Sequence, residues 1–179
     1  MLGGYFALNI AYSFRLKRVA YLDVLSIATF FIMRVLAGAF AIDVVASEWL
    51  LACTFLLATF LGFGKRAHEL AGSPEAEQQR SALAGYGLAS LRVILYTLAV
   101  LVVVVYALYT TSAHTVALFG TDALLWTVPF SIVAILRFTQ LATTRREAES
   151  PTEEMLRDPV FLGICVVYLA ATGAILYWA

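Results

Sequence analysis

Two short segments of this 179-residue chain gather residue types that suit a phosphate ester. The first runs Tyr12-Ser-Phe-Arg15-Leu-Lys17-Arg18-Val-Ala-Tyr21-Leu-Asp23 and brackets three cations between a hydroxyl and a carboxylate. The second, Gly62-Phe-Gly64-Lys65-Arg66-Ala-His68-Glu69-Leu70, sets two cations beside an imidazole and a carboxylate. Continued as a helix, it puts Lys65, His68 and Glu69 on one face at i, i+3 and i+4. The bases would hold phosphate oxygens and the carboxylate a bridging divalent metal. Lys and Arg at the inner ends of membrane helices are expected from topology alone. That bland reading covers the cations singly, but it leaves Glu69 and the arginine following the lysine unexplained. His68-Glu69 is not a zinc-protease helix, because Gly72 stands where the second histidine would be.

The elements that must position these residues are membrane spans. Apolar stretches from Tyr21 to Ile42, Trp49 to Gly64, Leu88 to Tyr109, Ala123 to Leu141 and Val160 to Trp178 fill most of the chain. Each approaches or exceeds the roughly 17–25 residues that cross a bilayer as a helix. At 62% hydrophobic and 13% charged, the composition is far from that of a soluble domain. The longest connection, Lys65 to Gly87, leaves no room for one. A formal net charge of zero without a basic tract argues against nucleic acid as a partner. Cys53 and Cys165 lie far apart inside spans and read as packing residues. The segment Met1 to Tyr12 is too short to span and lacks the basic start of a signal peptide. It reads as the last part of a helix whose beginning is missing.

Charge sets the expected orientation. The first gap carries Arg15, Lys17 and Arg18, the third Lys65, Arg66 and Arg80, and the fifth Arg145, Arg146 and Arg157; the second and fourth carry no Lys or Arg. By the positive-inside rule the odd gaps are cytoplasmic and the C-terminus emerges on the other side. Trp49, Trp126 and Trp178 fall near the outer ends, as an interfacial belt requires. Arg92 and Arg137 stand near inner ends, within snorkelling reach. Arg34 is ~20 Å from the inner face at the helical rise, a depth where a charge needs a polar cavity or a partner. Asp23, Ile27, Phe30, Arg34, Gly38 and Ala41 share one helical face, so Arg34 is expected to line a deep cavity. The stretch Gly72 to Gln79, with Pro74, Glu75 and Glu77, reads as a polar loop over the site. Glu147 to Asp158 reads as a solvated connection, and His114 as a solvated loop residue.

The run Tyr12-Ser-Phe-x-Leu-Lys17, then Asp23, Arg34-x-x-x-Gly38, Ser47-x-Trp49-Leu-Leu, Phe63-Gly64-Lys65-Arg66-x-x-Glu69-Leu70 and Leu156-x-Asp158 resembles the UbiA-type prenyltransferase superfamily. Lys-Arg-x-x-Glu-Leu is its most specific part, replacing the Asp-rich second motif of aromatic prenyltransferases. The resemblance implies an all-α membrane bundle of nine helices, of which residues 1–179 are the C-terminal part: five full spans plus a partial helix. It implies an active site open to the cytoplasm, in the plasma (inner) membrane of a bacterium. The reaction implied is Mg²⁺-dependent transfer of phosphoribose from phosphoribosyl diphosphate to a polyprenyl phosphate such as the decaprenyl ester, releasing diphosphate. Lys65, Arg66 and Glu69 would be catalytic, Tyr12, Lys17, Arg18, Asp23 and Arg34 would bind substrate, and Glu69 and Asp23 are the metal candidates. The superfamily's first motif, Asn-Asp-x-x-Asp-x-x-x-Asp, does not occur in this sequence, so the chain alone is expected to be inactive.

Two rivals make different demands. An aromatic-acceptor prenyltransferase needs an Asp-x-x-x-Asp pair in the third gap, which is not there. A transporter or scaffold fragment needs mid-membrane charges on several helices and an internal repeat. No repeat is found, and the intramembrane charges gather at the inner side except for Arg34.

Overall fold

The computed structural model describes residues 2–72, 85–144 and 151–178, and among them every regular element is a helix. Helix α1 (Leu2–Phe14) leads through a 3₁₀ turn (Leu16–Arg18) into α2 (Leu22–Ala41). Then come α3 (Glu48–Gly72), α4 (Leu88–Thr111), the short α5 (Ala113–Phe119), a 3₁₀ segment (Ala123–Thr127), α6 (Val128–Thr143), α7 (Pro151–Arg157) and α8 (Pro159–Trp178). Five segments are long and apolar enough to cross a membrane: Leu22–Ala41, Glu48–Ala71, Leu88–Thr111, Ala123–Thr143 and Pro159–Tyr177. They overlap the five stretches read from the sequence and form an all-α membrane bundle. Arg80, Arg145, Arg146, Glu147 and the Pro74–Glu75–Glu77 stretch lie outside the described residues.

The helix starts follow local chemistry. Ser47 Oγ accepts from the Leu50 amide at 3.1 Å, and Ser112 Oγ accepts from the Thr115 amide at 3.2 Å, relieving unpaired donors at the starts of α3 and α5. Pro129 sits in the first turn of α6, where its missing N–H costs no hydrogen bond. At α8, Asp158 accepts from the Phe161 amide at 3.3 Å while Pro159 opens the helix.

Helix α3 is the hub, packing on α2, α4 and α6. Close approach is possible because two of its residues have no side chain. A Cβ on Gly62 would stand 2.6 Å from Val24 Cγ1, and one on Gly64 would stand 2.5 Å from the Phe138 ring. Small residues at such crossings let membrane helices gain dispersion contacts where lipid already matches their apolarity. Val24, Phe60, Phe63, Ala67, Leu91 and Phe138 form much of the resulting core. Buried residues make up 39% of the α3 span but none of the α8 span, so much apolar surface is left to lipid or further protein.

Four sequence expectations change here. Helix α3 does not stop near Gly64 but continues to Gly72, carrying the Lys65–Glu69 motif on a rigid rod. The connection before α8 is not merely solvated: Pro151–Arg157 is a helix with Pro151 and Glu154 buried. The polar face of α2 is buried only at its Asp23 and Phe30 end, while Arg34, Gly38 and Ala41 are exposed. His114 is exposed, as expected, but it lies on the short helix α5 rather than in a loop.

Candidate functional site

The start of α2 and the last two turns of α3 meet at the basic end of the bundle. Asp23, fully buried, lies with Oδ2 2.9 Å from Nε of the equally buried Arg66. These two atoms attract as an ion pair without the alignment of a hydrogen bond. The aligned bond goes to the other oxygen: Tyr86, just before α4, donates its hydroxyl to Asp23 Oδ1 at 2.7 Å. Arg66 Nη1 also donates to Glu69 Oε2 one turn on, and Glu69 is the partly exposed member, 19% accessible against 2% for Arg66. One guanidinium thus joins a sealed carboxylate to one that reaches the surface.

Tyr86 locks the arrangement from a third element. Its hydroxyl accepts from the Tyr21 amide at 2.6 Å while donating to Asp23. Burial first, and the neighbouring carboxylate second, push its phenol well above the ordinary value, so it remains a donor across physiological pH. Tyr21 has φ of 66°, a conformation unfavourable for a side chain of this size. Its ring lies 4.8 Å from that of Tyr86 and 6.0 Å from that of Phe63, contacts that hold the strained turn aiming Asp23 at Arg66. Tyr86 was not singled out in the sequence, where an isolated tyrosine beside a glycine-flanked connection carries no visible signal.

The remaining expected site residues divide by exposure. Lys65, Lys17 and Arg18 are exposed at this same end, with no ion-pair partner among the described residues. His68 is buried, so Lys65, His68 and Glu69 do not share one environment; the Glu69 carboxylate pairs with Arg66. Tyr12 packs edge-on against Phe30, 5.8 Å between ring centres. Arg34 is apart from the cluster. Its Nη2 donates to the Tyr5 hydroxyl at 3.2 Å, its guanidinium lies 5.4 Å over the Phe31 ring, and it is exposed on the α1–α2 side of the bundle.

Arg137, expected to snorkel, instead forks onto Asp158, with Nε to Oδ2 at 2.6 Å and Nη2 to Oδ1 at 2.9 Å. This ties α6 to the start of α8, and the guanidinium holds the Asp158 carboxyl below its usual range.

The donor set gives a limited fit to a divalent cation. Among the described residues no group of three Asp, Glu, His or Cys side chains comes together. Asp23 is closed off beneath Arg66 and Tyr86, which leaves Glu69 as the carboxylate of the pair that reaches solvent. A magnesium ion bridging phosphate oxygens is held through one or two carboxylates and waters, so Glu69 could supply one such contact.

Known proteins place this geometry in context. No protein-family profile matches the chain. A curated relative from Mycolicibacterium smegmatis, named decaprenyl-phosphate phosphoribosyltransferase, is 31% identical over 98% of this chain and 57% of its own length. The protein of that name from Corynebacterium glutamicum is 30% identical over 94% of this chain and 51% of its own. One from Mycobacterium tuberculosis is 28% identical over 95% and 55%. The chain is homologous to part of these transferases. It spans about half the length of the curated relatives it matches, a finding consistent with the UbiA-type resemblance.

Proposed function

We propose that the chain forms part of a membrane transferase that moves 5-phosphoribose from phosphoribosyl diphosphate to a polyprenyl phosphate, releasing diphosphate. The observation that carries this reading is the Asp23–Arg66–Glu69 cluster at the same end as the exposed Lys65, Lys17 and Arg18, in a chain homologous to part of proteins named decaprenyl-phosphate phosphoribosyltransferase. By the positive-inside rule this end faces the cytoplasm, which in a bacterium makes the host bilayer the plasma membrane. There the cations grip phosphate oxygens, and Arg66 fixes the rotamer of Glu69 toward a ribose hydroxyl. A bound Mg²⁺ would neutralise part of the diphosphate charge. The chain's own share is positioning and charge stabilisation as the ribose carbon develops oxocarbenium character. The polyprenyl tail lies along apolar helix faces.

The test is saturable binding of labelled phosphoribosyl diphosphate to membranes containing this chain, competed by unlabelled diphosphate. Binding no greater than in membranes without the chain overturns the reading. The aromatic-acceptor and transporter readings have no observation in their favour that this one lacks.

A further inference from the structure

A second feature lies in the opposite half of the bundle, away from the basic cluster. Helices α3, α4, α6 and α8 line a partly open cavity of about 530 Å³ whose wall is almost wholly apolar. That size falls within the roughly 300–1,000 Å³ of small-molecule sites. Trp49, Cys53, Ile135 and Cys165 contribute to the wall, and its polar atoms are mainly hydroxyls.

The direction of the hydrogen bonds says what those hydroxyls can still do. Each hydroxyl has one proton to donate and lone pairs with which to accept. Thr127 Oγ1 spends its proton on the Leu124 carbonyl at 2.6 Å. Its 2.7 Å contact with the Tyr106 hydroxyl must therefore be donated by Tyr106. The 2.7 Å contact between Tyr106 and Tyr168 must then be donated by Tyr168. Ser131, also in the wall, spends its proton on the Val128 carbonyl at 2.8 Å. Tyr168, Tyr106 and Ser131 thus face the cavity as acceptors whose protons are committed. Thr54 and Tyr109, on other parts of the wall, have hydroxyls that can donate.

From this polarity we infer that the cavity binds a lipid alcohol: an apolar body with one O–H that donates to Tyr168 and accepts from Thr54 or Tyr109. A ketone, ester or ether of the same shape can accept but not donate, and leaves the accepting lone pair of Tyr168 unused. The hydrocarbon end of a polyprenyl phosphate has no O–H either, and its phosphate belongs at the basic end. The site is therefore separate from the transfer chemistry and does not rest on it. An isoprenoid alcohol and a diacylglycerol present the same group, and both are reachable from the bilayer.

The experiment uses the purified chain in lipid nanodiscs with tritiated farnesol, competed by farnesyl methyl ether or by dioctanoylglycerol. Farnesol is expected to bind saturably, and the ether about tenfold more weakly, as the loss of one hydrogen bond implies. Tyr168→Phe should abolish that preference while ether binding persists. Ile135→Trp, which fills the cavity, should remove binding of both. The relative strength of dioctanoylglycerol assigns the source of the alcohol, glycerolipid if tighter than farnesol and isoprenoid if weaker. Absence of saturable farnesol binding, equal affinity for alcohol and ether, or a preference that survives Tyr168→Phe overturns the inference. If Tyr168→Phe does not fold, the wild-type preference together with Ile135→Trp decides the matter.

Discussion

Arg66 and Arg137 sit at the same end of the bundle, and each ties two helices through an aspartate, yet their surroundings differ. Arg137 meets Asp158 as a planar fork on a carboxylate, with Gln140 accepting a further bond at 2.7 Å, and is 22% accessible. Its guanidinium has geometric satisfaction and some access to solvent. Arg66 is 2% accessible, its contact with Asp23 lacks hydrogen-bond alignment, and it is shared with a second carboxylate. A fork that caps a helix start needs no other explanation than architecture. A desolvated arginine divided between a sealed and a partly exposed carboxylate is a costly way to join two helices. The contrast points to Glu69, the partly exposed end of the Arg66 network, as the member with a task beyond joining helices.

The largest effect expected from breaking this contrast is at Arg66. Arg66→Ala leaves the buried Asp23 without its cation although still bonded by the Tyr86 hydroxyl, and breaking a buried pair in this way costs about 3–5 kcal/mol. Unfolding in mixed detergent, followed by circular dichroism, should show that loss. The double variant Asp23→Leu with Arg66→Met sharpens the point, because apolar replacement of a whole buried pair is commonly neutral or stabilising. It should recover most of the stability while failing to restore phosphoribosyl diphosphate binding. Recovery of both would make the network purely structural.

At Arg137 the expected loss is smaller and has a pH signature. Asp158→Asn keeps the size and the helix-capping oxygen while removing the charge. Because the folded carboxyl is held below its ordinary value, near 3.8, its contribution is present above that pH and disappears as pH falls through the folded-state value. The stability gap between wild type and Asp158→Asn should therefore be constant from neutral to mildly acid pH and close only below about 3.8. A gap that already narrows near pH 6 would show that the fork is not what Asp158 contributes. Denaturant midpoints at several pH values measure it.

These two arginines also mark what the sequence could and could not disclose. The five spans were legible because length and apolarity alone define a helix in lipid, whereas the close helix approach at Gly62 and Gly64 shows only once α2 and α6 are seated on α3. The basic gaps were legible because charge avoids the bilayer. Pairing was not. Nothing in the local spacing says that Asp23 meets Arg66, or that Arg137 reaches Asp158 at a separation of 21 residues. Those contacts depend on how α2 seats on α3 and α6 on α8. For the same reason Tyr86 stayed hidden, since its role exists only where three elements converge. Arg34 was expected to line a deep cavity from its helical face, but a face says nothing about which neighbour it meets, and here an exposed Arg34 bonds the Tyr5 hydroxyl.

The smallest structural effect is expected at Lys65, and that smallness is what makes it informative. Lys65 is exposed on the last turns of α3, next in sequence to the buried Arg66, and has no ion-pair partner among the described residues. Its ammonium is solvated already, so Lys65→Gln should change stability by no more than about 0.5 kcal/mol. If the exposed cations grip phosphate oxygens, the same substitution should weaken binding of phosphoribosyl diphosphate about tenfold, the equivalent of ~1.4 kcal/mol. The weakening should shrink as salt rises, because an exposed charge is screened within roughly 8–10 Å at physiological ionic strength. Arg66→Ala confounds folding with binding, whereas Lys65→Gln separates them. Equal binding by Lys65→Gln and wild type at low salt would remove Lys65 from the site and leave Lys17, Arg18 and the Arg66–Glu69 pair to carry substrate recognition.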